Sequence, residues 1–70
     1  MRLSTRNQLP ATVTEVQVGS VMAVVKVTLE GSSHEVTASV TKDAVEDLGI
    51  RSGSKVTVLV KATEVMLATE

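Results

Sequence analysis

The chain has no cysteine and no phenylalanine, tyrosine or tryptophan, and only one histidine and one proline. Each absence removes a class of function. Without cysteine there is no disulfide and no thiolate metal site. A single His34 cannot build a histidine-based zinc site. Without aromatic rings there is no platform on which nucleic-acid bases could stack. Seven basic residues against eight acidic ones leave a formal net charge of −1, so no basic field draws in a phosphate backbone. Nucleophiles are limited to serine and threonine, and His34 lies in the polar turn Gly-Ser-Ser-His-Glu, so no catalytic constellation is visible. No segment has the length and apolarity of a membrane span, and the first ten residues lack the apolar core of a signal peptide. The expectation is one cytoplasmic domain over residues 1–70, with no enzyme activity, no cofactor, no directly ligated metal, and no nucleic-acid or membrane partner. A monomer of this size buries only about 60% of its unfolded surface. Disulfides and metals being excluded, self-association is the remaining support.

What the chain does have is valine and threonine in alternation, which favours sheet. Residues 11–18 read as a first strand, with a slip of parity between Val13 and Val16 that predicts a bulge near Thr14-Glu15. Gly19-Ser20 is a turn. Residues 21–30 form the longest strand, with Val21, Ala23, Val25, Val27 and Leu29 on one face. After the turn at residues 31–34, residues 35–41 alternate cleanly. Residues 41–50 then break the alternation and predict a helix of about two turns. Thr41 is its N-cap, Gly49 its left-handed C-cap, and Ala44, Val45 and Leu48 its apolar stripe. Two further strands follow at residues 55–61 and 64–69. Three strands, a helix and two strands is the order of an all-β, five-stranded OB-like Greek-key barrel with one short helix between strands 3 and 4. Val21–Val25 of strand two and Val65–Ala68 of strand five are apolar on both faces. One barrel has one interior, so the second face predicts a protein interface, with another copy as its cover.

Several polar groups suit a small tetrahedral dianion. Ser4, Thr5 and Arg6 offer a hydroxyl, amides and a guanidinium. Thr41 offers a hydroxyl and a helix N-terminus whose amides are expected to be free. Lys61 offers an ammonium, and Ala62 a backbone N–H. These groups are mostly donors, with Arg6 giving directional paired bonds and Lys61 a point charge. Spacing alone does not show that they meet.

The run Ser4-Thr5-Arg6-Asn7-Gln8-Leu9 resembles the Ser-x-Arg-Asn-Gln-Leu opening of the molbindins, small molybdate-binding proteins with a Mop or TOBE domain. Gly19-Ser20-Val21-Met22-Ala23, Val40-Thr41, Asp47-Leu48-Gly49-Ile50, Gly53 and Val60-Lys61-Ala62-Thr63-Glu64-Val65 match in the same order. The resemblance covers essentially the whole chain. It implies a homohexamer, a trimer of dimers, in which the N-terminal strand, residues 1–9, is exchanged between subunits around barrels of residues 10–70. It implies molybdate or tungstate held between subunits, for intracellular molybdenum storage. Ser4, Thr5 and Arg6 of one subunit would meet Thr41, Ala44, Lys61 and Ala62 of a neighbour. Ala44 stands where relatives often carry serine, and Met22 where they often carry asparagine. A second oxyanion site near the symmetry axis would use the backbone of Ser20 and Val21 together with Ser39. The alternative is an oxyanion-sensing module that acts with a molybdate transporter or regulator. A nucleic-acid-binding module is a third reading, disfavoured by the missing aromatics.

Overall fold

The computed structural model of the chain describes residues 3–70. In chain order it contains β1 (Asn7–Val18), β2 (Met22–Leu29), β3 (Glu35–Thr41), α1 (Lys42–Leu48) and β4 (Lys55–Val60), then a single 3₁₀ turn at Ala62–Glu64. The strands form one antiparallel sheet in the order β3-β2-β1-β4. The sheet is organised around β1, whose first half pairs with β4 (Asn7 opposite Val60, Thr12 opposite Lys55) and whose second half pairs with β2 (Ala11 opposite Leu29, Val18 opposite Ala23). The register shifts between Val13 and Glu15, where the parity slip predicted a bulge. The extra residue bends the strand and lets the sheet curl on itself.

The curl encloses a core of small residues: Ala11, Val13, Ala23, Val25, Val27 and Val45 are buried. Val45 is the only buried residue of α1. The helix has the expected caps. Thr41 Oγ1 accepts from the Ala44 amide at 3.1 Å, and Gly49 takes φ 64°. The Ile50 amide then donates to the Val45 carbonyl at 3.0 Å.

Four expectations require correction. Leu48 is not on the core face of α1 and is 74% exposed; the helix turns Val45 to the core, with Lys42 and Ala44 half-buried beside it. Val21 is likewise exposed, since β2 begins only at Met22. Residues 7–9, expected to lie outside the barrel in an exchanged segment, extend β1 and pair with β4 of the same chain. Met1 and Arg2, the start of that segment, lie outside the described residues. Finally, residues 65–70 form no strand: four strands, not five, are present among the described residues, and the tail runs on from the 3₁₀ turn exposed throughout.

Candidate functional site

Asn7 and Val60 are the last pair of the β1–β4 ladder. The residues before Asn7 and after Val60 therefore leave the sheet at the same end, side by side, although 53 positions separate the pair in sequence. The Asn7 side chain ties the two strands together by donating from Nδ2 to the Val60 carbonyl at 3.0 Å. Gln8 Nε2 donates to the Thr5 carbonyl at 2.7 Å and holds the incoming segment in place. The result is an open cleft of about 360 Å³ lined by Ser4, Thr5, Arg6, Lys61, Ala62 and Thr63. Its side chains carry hydroxyls, one guanidinium and one ammonium, and the lining includes no carboxylate. Such a lining donates hydrogen bonds and offers positive charge, which suits an oxyanion.

Five of the residues singled out in the sequence thus meet within one chain, whereas the expectation divided them between two. Thr41 and Ala44 are not among the lining residues. Thr41 pairs with Met22 at the β2 end that adjoins Val18, so it leaves the opposite end of the β1 ladder from Lys61. The start of α1 is also less open than expected. The Lys42 amide donates to the Val21 carbonyl at 2.7 Å, and the Ala44 amide is engaged by Thr41.

The family model of the TOBE domain matches residues 3–67. The chain belongs to the TOBE domain family. This TOBE domain is 39% identical over 67 residues to molybdenum-pterin-binding protein 3 of Clostridium pasteurianum, covering 96% of this chain and 97% of that protein. Its fold is similar to that of a molybdate-binding protein from Sporomusa ovata, with a TM-score of 0.91 and 43% identity over 99% of this chain and 100% of that one. It is also similar to ModG, a cytoplasmic molybdate-binding protein solved with molybdate bound, with a TM-score of 0.81 and 42% identity. There the match spans 89% of this chain and 43% of the other.

The second candidate set of this TOBE domain is more dispersed. Ser20 and Val21 form the turn between β1 and β2, while Ser39 lies on the exposed face of β3 opposite Val24. Gly19 fixes that turn through its amide, 2.8 Å from the Met22 carbonyl, and a Cβ at Gly19 would stand 2.9 Å from the same oxygen. Residue-level reading of the sequence missed Thr63, which completes the cleft wall, and the clamping roles of Asn7 and Gln8. Asn7 and Gln8 belong to the same run as Arg6, and Thr63 follows Ala62, so proximity in sequence was the available signal. Among the described residues no cluster of metal-ligating side chains is present, and no helix is long and apolar enough to cross a membrane.

Proposed function

We propose that this TOBE domain binds molybdate, and tungstate with it, as a non-catalytic oxyanion protein of intracellular molybdenum homeostasis. The observation that carries the reading is the convergence of Ser4, Thr5, Arg6, Lys61 and Ala62 on one donor-rich cleft. The two chemically charged walls come from opposite ends of the sequence, and the β1–β4 ladder holds them together. Thr41 joins this site from a second copy. Its oxygen accepts from the Ala44 amide, and its hydroxyl proton remains available to an anion. Ala44 contributes backbone only. Ser20, Val21 and Ser39 line a second oxyanion site that forms between copies. The assembly is a homohexamer, a trimer of dimers, and its setting is the cytoplasm, as described for ModG.

Isothermal calorimetry with molybdate tests this. Binding heat is expected, with tungstate competing and the smaller sulfate competing poorly, because a rigid donor cage leaves gaps around a smaller ion. Arg6→Ala and Lys61→Ala should each weaken binding by about 1.5–3 kcal/mol, the range of hydrogen bonds to charged groups. No heat at millimolar molybdate, or unchanged affinity in both variants, rejects the site.

A second reading is an oxyanion-sensing module acting with a larger protein; the part of ModG that matches this domain makes up 43% of that chain, so such a domain also occurs within longer chains. Co-purification with a molybdate transporter or regulator supports it.

A further inference from the structure

The cleft between residues 4–6 and residues 61–63 is rich in donors, and its polarity depends on where the neighbouring acceptors go. Each wall also brings backbone carbonyls. The Gln8 side chain donates to the Thr5 carbonyl at 2.7 Å, and the Asn7 side chain donates to the Val60 carbonyl at 3.0 Å. The next two carbonyls, of Lys61 and Ala62, accept from the Glu64 amide at 2.8 Å and the Val65 amide at 3.4 Å. Thr5 is a lining residue and Val60 immediately precedes one, yet neither Asn7 nor Gln8 lines the cleft. Gln8 borders a separate hollow of about 430 Å³, which shares residues 4–6 with the cleft but not Lys61. Its bond therefore holds the Thr5 carbonyl on the side away from Lys61. We propose that Asn7 and Gln8 set the specificity of the site by occupying the acceptors at its rim, and that the anion this works against is a protonated one, inorganic phosphate. The inference rests on the oxyanion reading above and adds the basis of its selectivity.

The discrimination is a matter of protons. At neutral pH molybdate, tungstate and sulfate carry none, so every oxygen is an acceptor and a wall of donors satisfies it. Inorganic phosphate keeps at least one P–O–H, a donor that needs an acceptor once it leaves water. A donor buried without a partner bears its full desolvation penalty, and a site rejects an analogue most strongly when a polar group is left unpaired. A free carbonyl or a carboxylate would supply that partner. The cleft lining has no carboxylate, and the two amide side chains hold the carbonyls of Thr5 and Val60. Serine and threonine hydroxyls accept as well as donate, so phosphate is weakened and not barred. An amide suits the masking role because it donates without carrying charge. It covers the carbonyl and leaves Arg6 and Lys61 as the only cations of the site.

Gln8→Met and Asn7→Leu keep the approximate size of each side chain and remove the donor. Calorimetric competition against bound molybdate, with phosphate and with sulfate, reads the result. In each variant phosphate is expected to gain on molybdate by about threefold to tenfold, the worth of one hydrogen bond. The ratio of sulfate to molybdate is expected to stay at the parent value. Sulfate is close to phosphate in size but has no proton, so the two ratios separate an unmasked acceptor from a distorted cleft. If phosphate and sulfate shift together, or neither shifts, the proposal is overturned and the side chains only brace the strands, while molybdate binding by the parent chain still stands. Gln8 is exposed and Asn7 half-buried, so if Asn7→Leu does not fold, Gln8→Met alone decides. A parent chain that binds no molybdate overturns this inference together with the reading beneath it.

Discussion

At the scale of single residues, two lysines bracket β4 and meet opposite surroundings. Lys55 Nζ lies 3.2 Å from Glu30 Oε1 and 2.8 Å from Thr12 Oγ1, while Thr12 Oγ1 itself donates to Glu30 Oε1 at 2.5 Å. Lys61 instead lines the cleft with Arg6 and hydroxyl residues. One ammonium is spent on the fold's own surface, and the other faces the site. The hydrogen bonds from Thr12 and Lys55, together with the Lys55 charge, hold the Glu30 carboxyl below the usual glutamate range. A folded-state value below the unfolded one contributes stability that is complete above the unfolded value and is lost as pH falls through the folded one. Because the carboxylate is exposed, the contribution is small. Glu30→Gln should therefore lower the urea midpoint slightly at neutral pH, and the gap from the parent chain should narrow as pH falls below the ordinary glutamate value of about 4.3 and vanish once the folded-state carboxyl is protonated. A gap that persists unchanged in acid would assign the effect to packing instead.

Among elements, legibility followed periodicity. The strands β2, β3 and β4, the helix and the bulge in β1 could all be read from alternation and its breaks. The start of β1 at Asn7 rather than at residue 11 was not legible, because Pro10 stands between them and proline usually ends pairing. The Pro10 carbonyl accepts from the Glu30 amide at 2.9 Å. The N–H and C=O of one strand residue point to the same side, so the missing donor faces the end of the β2 ladder and costs β4 nothing. The cleft was legible only as a list of donors. That Arg6 and Lys61 share one end of a ladder depends on the Asn7–Val60 register, which no local pattern encodes. The helix was legible because both caps are written in its sequence. Seven residues make a helix too short to persist alone, so it rests on those caps and on Val45. Gly49 is held at φ 64°, where a side chain costs about 1–2 kcal/mol. Gly49→Ala should lower the stability by about that amount in chemical denaturation, without altering molybdate affinity at the cleft. An unchanged midpoint would mean that the cap relaxes freely.

For the molecule as a whole, a core made of two alanines and four valines is too small to sustain the fold by burial alone. Large apolar side chains lie outside it: Val21, Leu48, Met66 and Leu67 are each more than two-thirds exposed. The radius of gyration is 12.8 Å, against about 11 Å for a compact chain of this length. The sequence foretold this condition through strands apolar on both faces, and it placed the remedy in a second copy. Residues 7–9 of the expected exchange segment are paired in their own sheet, and the apolar tail residues Met66 and Leu67 beyond Glu64 lie exposed outside it. If association supplies the missing burial, folding and assembly are one equilibrium, and apparent stability depends on protomer concentration. The thermal midpoint should rise steadily when the protein is concentrated from micromolar to hundreds of micromolar. A Leu67→Asp variant, which puts a charge on the exposed apolar tail, should unfold at a lower temperature. If the parent chain's midpoint stays fixed across that range, the single curled sheet is stable by itself, and the exposed apolar surface has some purpose other than holding copies together.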